Sequence, residues 1–193
     1  MNILENAVGK SILGKITNAV FDQQFPWYYG STAYALEEKK SLYDYSYSHL
    51  VLSDGKAYNQ VGEILAITLF NLSDVIQQDI KTILRIRIGS IPVTPKPIIH
   101  TPHIDLEFSH KTALLYLNDA DGDTIFYNLK YPWIEQLSTH DYYLKNKKNV
   151  KIEEVVKPEK NKFVWFDGFH YHSSTSPTKV DRRIVVNFNY VTK

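Results

Sequence analysis

His103 and Asp105 form a His-x-Asp pair, and much later in the chain come His172 and the adjacent Arg182 and Arg183. Two neutral imidazoles and one carboxylate can occupy one face of an octahedral divalent ion such as Fe(II), leaving three positions open for reactants. On an extended strand, residues i and i+2 point to the same side, so His103 and Asp105 would enter one cavity together. An arginine shortly beyond the second histidine could hold the far carboxylate of a bidentate keto acid through two parallel hydrogen bonds.

The other histidines test this grouping. His100 and His103 point to opposite faces of an extended chain, and His110 falls in the approach to the next strand. His170 and His172 both follow the turn Asp167-Gly168, and only one is needed. The polar run Ser173-Ser174-Thr175-Ser176-Pro177 suits the rim of a site and favours His172, with His170 beside it as a supporting or rim residue. From Arg183 the chain alternates, so Arg183, Val185, Asn187 and Asn189 share a face. Asn187 and Asn189 facing inward require a polar cavity. Arg182 points the other way, where Asp181 can pair with it.

Elements to position these residues are legible in the periodicity. Residues 7–19 carry Val8, Ile12, Leu13 and Ile16 at helical spacing, ended by Pro26 and Gly30. Residues 61–72 read as a helix with Ile64, Leu65, Leu69 and Leu72 on one side, and 75–83 continue in helical style through Ile76, Ile80 and Ile83. Residues 43–52 form a strand or an irregular edge. The period then becomes two. Strands are expected over 84–88, after Pro97 around His103, over 112–118, 124–128, 163–166 and 184–191. Residues 91–97 form a proline-rich connection, 119–123 a polar turn, and 145–162 an exposed strand pair or loop. Helices first, then short strands, is an α+β pattern, mainly β, with the carboxy-terminal half a closed or sandwiched antiparallel sheet. The 193 residues suffice for one domain, helical over about 1–83 and β-rich over about 84–193.

Composition narrows the function classes. The 22 basic and 21 acidic residues nearly cancel, so no global field recruits nucleic acid or an anionic membrane. Lys145, Lys147, Lys148 and Lys151 are offset by Glu153, Glu154 and Glu159, so nucleic acid is not an expected partner. The chain has no cysteine, which removes disulfides, thiolate metal sites and a cysteine nucleophile. There is no basic-then-apolar leader and no run of apolar residues long enough to span a bilayer, so a soluble, cytoplasmic protein is expected. No feature sets an oligomeric state.

Five motifs occur in order: His103-x-Asp105, Leu114-Leu115-Tyr116-Leu117-Asn118, Gly122-Asp123-Thr124-Ile125-Phe126-Tyr127, Phe166-Asp167-Gly168 leading to His172, and Arg183-Ile184-Val185-Val186-Asn187-Phe188. Together they resemble the Fe(II)- and 2-oxoglutarate-dependent oxygenases, in the prolyl-4-hydroxylase-like branch. Within it the likeness is to small hydroxylase-like proteins of phages and marine bacteria, which share the run Phe25-Pro26-Trp27-Tyr28-Tyr29; a viral source would make the cytoplasm a host's. The resemblance implies a double-stranded β-helix, or jelly-roll, core with flanking amino-terminal helices. It implies His103, Asp105 and His172 as ligands of Fe(II), and Arg183 with the Tyr116 phenol on the C5 carboxylate of 2-oxoglutarate. Thr112 and Leu114 would line that pocket, with Asn187 on the same inner face as Arg183. Dioxygen is the second cosubstrate, and the outcome is hydroxylation, since Asp105 fills the position a halide would need.

Two departures are visible: Gly122-Asp123 stands where the family often has paired glycines, and the arginine lies slightly far from His172. The prime substrate is a small molecule or a protein side chain such as a peptidyl proline, selected by loops within 31–54 and 133–148. Two other readings stand beside this one. A non-catalytic jelly-roll binding module would be expected to lack a ligand residue. A cupin-type metalloenzyme would gather more histidines and have no use for Arg183 beside Tyr116.

Overall fold

The computed structural model describes residues 1–31, 42–133 and 136–193. Two antiparallel sheets face each other, and two helices cover the outer face of the larger one. Its strands are β1 (Asn2–Leu4), β2 (Tyr28–Ser31), β3 (Tyr45–Ser53), β4 (Lys56–Ala57), β5 (Ile80–Pro92), β6 (Lys111–Tyr116), β9 (Phe163–Asp167) and β11 (Arg182–Thr192). They lie in the order β1-β9-β6-β11-β5-β3-β2, with β4 paired to β3. The smaller sheet is β10-β7-β8, from β7 (Thr124–Lys130), β8 (Ile152–Val156) and β10 (His170–Ser174). This is the jelly-roll arrangement, mainly β, that the motifs implied.

Alternation on the long strands builds both layers. Ile184, Val186, Phe188 and Tyr190 of β11, with Ile86 and Ile88 of β5, form one face. They pack with α1 (Lys10–Phe21) and α2 (Gln60–Ser73) into the larger apolar core. The helices offer Leu13, Ile16 and Val20, and Leu65, Leu69 and Leu72, each set at helical spacing. Asn59 caps α2 by accepting from the Gly62 amide at 2.9 Å. A Cβ on Gly62 would lie 2.2 Å from the Val51 carbonyl oxygen, so only glycine lets α2 lie this close to β3. The opposite face of the sheet carries Arg183, Val185, Asn187 and Asn189 against Arg85 and Arg87. It looks toward the small sheet. Leu114, Tyr116, Phe126, Val164 and Phe166 close the space between the layers.

Several expectations are corrected. Residues 75–83 are not helical: α2 ends at Ser73, Gln77 takes φ +53°, and β5 begins at Ile80. Ile76, Ile80 and Ile83 are all buried, so the apolar spacing is real, but a turn followed by a strand produces it. Ile91 and Pro92, expected in a connection, belong to β5 and pair with Arg183 and Arg182. His103 and Asp105 lie on no regular strand. Pro95, Pro97 and Pro102 deprive that segment of ladder donors, and it is fixed by the isolated bridges Ile99↔Thr175 and His103↔His172. Within 145–162 the chain ends α3 (Thr139–Asn146), makes a 3-10 turn and forms β8. The helix α3 had no counterpart in the sequence reading. Strand β3 covers most of the 43–52 stretch expected as a strand or edge, and β1, β2 and β4 also extend the large sheet from the part expected to be helical. No described helix is long and apolar enough to cross a membrane.

Candidate active site

His172 lies on β10 and His103 opposite it, their backbones exchanging two hydrogen bonds of 2.9 and 3.0 Å. That bridge sets the two rings 4.8 Å apart. Each ring places Nδ1 3.0 Å from a carbonyl oxygen, of Thr101 for His103 and of His170 for His172. A carbonyl only accepts, so Nδ1 carries the proton and Nε2 keeps its lone pair for a metal. The candidate ligand atoms of His103, Asp105 and His172 all lie within 4.8 Å of one another. Phe126 and Phe166 pack around the His172 ring.

Asp105 sits among donors. Arg85 Nη2 is 3.3 Å from Oδ1, and Thr112 Oγ1 and Asn189 Nδ2 are 3.2 and 3.0 Å from Oδ2. Asn187 Nδ2 reaches both oxygens at 3.2 and 3.1 Å. Burial alone would raise this carboxyl, but the charges of His172, Arg85, His103 and Arg87 hold it far below the usual carboxylate range. His172 is neutral at pH 7, so Arg85 is the close cation that keeps Asp105 ionised there.

Burial, with His103 alongside, pulls the His172 imidazole down to about 4, against the opposing pull of Asp105. An unfolded histidine titrates near ~6.5. Between those values the unfolded chain binds a proton that the folded chain refuses. The metal-free protein should therefore lose stability as pH falls from about 6.5 to about 4, by on the order of 1.4 kcal/mol per pH unit. Urea unfolding at stepped pH measures this slope. The slope should be shallower in His172→Gln, and an unaltered slope there contradicts the assignment.

Arg183 lies at the other end of the same cavity and is 2% exposed. Its Nη2 donates to Thr124 Oγ1 at 2.7 Å, its guanidinium stands 5.4 Å over the Tyr116 ring, and its buried Nε has no partner. The Tyr116 hydroxyl is 2.7 Å from the same Thr124 oxygen. No carboxylate pairs with Arg183 among the described residues, and burial lowers its pKa while Tyr116 opposes that shift. A buried cation in this condition is stabilised by a ligand that brings an anion. Arg182 faces away, 3.3 Å from Asp181 and over the Phe21 ring.

The cavity between these ends measures ≈ 330 Å³ and is lined by Leu114, Thr124, Val185 and Asn187 among others. Thr112 and Asn187 serve Asp105 instead of the arginine end, because four residues along a strand, the spacing of Asn187 from Arg183 and of Thr112 from Tyr116, span roughly 13 Å. Tyr116 sits behind Thr124, so its phenol reaches the cavity wall only through that hydroxyl. His170 turns away, with Nε2 2.7 Å from the Tyr127 carbonyl and 3.0 Å from Glu153, because the β10 register shifts between it and His172. Thr124 and Arg85 were missed. The alternation Arg85, Ile86, Arg87, Ile88 marked a two-faced strand, but the polar face of a sandwich strand can be the interior of a site. Residues 32–41 and 134–135, within the segments expected over the mouth, lie outside the described residues.

No protein-family model and no curated protein matches the sequence. Solved structures do match the fold. A prolyl hydroxylase from Trichoplax adhaerens, in complex with a hypoxia-inducible-factor peptide fragment, aligns with TM-score 0.62 at 15% identity, covering 99% of this chain and 83% of that one. The non-heme alpha-ketoglutarate-dependent epimerase SnoN from nogalamycin biosynthesis aligns with TM-score 0.68 at 12% identity, covering 98% and 77%. HygX from Streptomyces hygroscopicus, with nickel and 2-oxoglutarate bound, aligns with TM-score 0.59 at 11% identity, covering 99% and 82%. The chain has the fold of these 2-oxoglutarate oxygenases.

Proposed function

We propose that this protein is an Fe(II)- and 2-oxoglutarate-dependent dioxygenase that hydroxylates a small molecule or a protein side chain. The carrying observation is the buried Arg183, paired with no carboxylate among the described residues, opening onto the same cavity as the His103, Asp105 and His172 cluster. Two rings with free Nε2 atoms and an ionised carboxylate fit Fe(II), and a guanidinium at the far end fits the C5 carboxylate of 2-oxoglutarate.

When bound, the iron supplies the redox chemistry: 2-oxoglutarate, dioxygen and a substrate C–H become succinate, CO₂ and an alcohol, one oxygen atom entering each of succinate and the alcohol. The chain supplies placement. Thr101 and His170 carbonyls fix the tautomers of the ligand histidines, and Arg85, Thr112, Asn187 and Asn189 fix the Asp105 carboxylate. Arg183 and Thr124 orient the keto acid, and Leu114 and Val185 give its methylenes an apolar wall. The fold neighbours that use 2-oxoglutarate support this reading, and their range, from hydroxylase to epimerase, leaves the substrate to this chain's own cavity.

Anaerobic titration of the Fe(II)-loaded protein with 2-oxoglutarate should produce the weak visible charge-transfer absorption of an iron-chelated keto acid. Bound iron without that absorption would remove 2-oxoglutarate and favour the cupin-type reading. Failure to bind iron would favour a binding module.

A further inference from the structure

We infer that Arg87 is an oxyanion-binding residue for the prime substrate, so that the C–H bond oxidised belongs to a molecule carrying a carboxylate or similar anion. The inference rests on the function proposed above and narrows its substrate class.

Arg87 is half-buried and lines the cavity. It pairs with Asn187 across β5 and β11, whereas Arg183 pairs with Ile91, so Arg87 stands at the metal end, roughly 13 Å along the sheet from Arg183. Its strand neighbour Arg85 is occupied by Asn189 at 2.9 Å and Asp105 at 3.3 Å. The Asp105 oxygens are in turn filled by Thr112, Asn187, Asn189 and Arg85. Arg87 makes no hydrogen bond or ion pair with any described residue.

The charge of the cavity sharpens the argument. Its described lining includes Arg87 and Arg183 but no aspartate or glutamate. Fe(II), Arg87 and Arg183 together would carry four positive charges against three negative ones from Asp105 and dianionic 2-oxoglutarate, so the surplus is the charge of one guanidinium. Arg183 is taken by the far carboxylate of the keto acid, leaving Arg87 as the unused guanidinium nearest the reacting centre. Ser48, paired with Gly89 two residues along β5 from Arg87, adds a neutral hydroxyl to the same cavity. A guanidinium suits an oxyanion, which it binds with two parallel hydrogen bonds. A reacting carbon must come within about 3.5 Å of the oxidant, so the anion lies only a few bonds from it.

The test uses Zn(II)-loaded protein, since zinc binds such nitrogen and oxygen ligands at least as tightly as Fe(II), with 2-oxoglutarate saturating the Arg183 end. Methanesulfonate, an oxyanion that ligates metals poorly, is titrated in and its binding followed by ligand-observed NMR. Wild type should bind it, Arg87→Gln at least tenfold more weakly, and Arg87→Lys in between. Equal binding by wild type and Arg87→Gln overturns the inference. So does a tenfold loss of 2-oxoglutarate affinity in Arg87→Gln, which would make Arg87 a residue for the cosubstrate. If 2-oxoglutarate fails to bind wild type, the proposed function falls and this inference with it. N-acetylglycine and a blocked glycine–aspartate–glycine tripeptide, compared in the same assay, distinguish a free acid from an acidic side chain by which binds more tightly in an Arg87-dependent way.

Discussion

Asp105→Ala should abolish tight metal binding and also lower the stability of the metal-free protein. Removing the carboxylate leaves two imidazoles, and the affinity loss should exceed the ~100-fold that follows loss of a ligand's supporting partner. The effect on stability has a separate origin. Arg85, Thr112, Asn187 and Asn189 all point donors at Asp105. Without it they face an apolar methyl group, and a buried donor left unmatched costs about 1–3 kcal/mol. The Arg85 side chain is 23% exposed, so water relieves part of its share. Zn(II) or Fe(II) titration and thermal unfolding of the metal-free variant measure the two effects. A variant that keeps wild-type metal affinity would remove Asp105 from the ligand set.

Arg183→Met should act in two opposite directions. It deletes the guanidinium proposed to hold the far carboxylate of 2-oxoglutarate, and loss of one member of a buried charge pair costs about 2–5 kcal/mol, on the order of 30-fold or more in affinity. Metal affinity should be unchanged, because Arg183 touches Thr124 and Tyr116 and none of the ligands. In the ligand-free protein the same substitution should raise the unfolding temperature. The wild-type guanidinium is 2% exposed, with Nε unpartnered, and methionine of similar length removes that desolvation penalty. Stability given up at a binding site is the usual trade. Arg182→Ala should alter neither binding step. If Arg182→Ala weakens 2-oxoglutarate and Arg183→Met does not, the β11 face has been assigned to the wrong side of the sheet.

Much of the architecture was readable because β6, β9 and β11 alternate cleanly between apolar residues facing the helices and mixed residues facing the cavity. The register of β11 follows from that alternation alone, and with it the inward turn of Arg183, Asn187 and Asn189. The 75–83 segment differs from its helical expectation because isoleucines at 76, 80 and 83 satisfy helical spacing equally well. Only the left-handed Gln77 and the pairing of β5 with β11 decide it, and neither is local. The spacing of His103-x-Asp105 predicts a regular strand, whereas tertiary bridges to His172 of β10 and to Thr175 just beyond it fix the segment. Arg85 escaped notice because its partner Asp105 lies on a different, irregular segment. A charged residue alternating with isoleucine reads as solvent-facing until both sheets are in place.

The bridge between His103 and His172 joins two stretches far apart in sequence through a pair of backbone hydrogen bonds, with Ile98 and His100 bonded further along to Ser176 and Ser174. An ion held by both rings would rivet the segment around residues 98–105 to β10, much as a covalent cross-link closes a long loop at the expense of the unfolded chain's freedom. Amide protons of that segment would then exchange more slowly in the loaded protein than without metal. Under the proposed function, iron supply would then set the lifetime of this corner of the molecule as well as its chemistry.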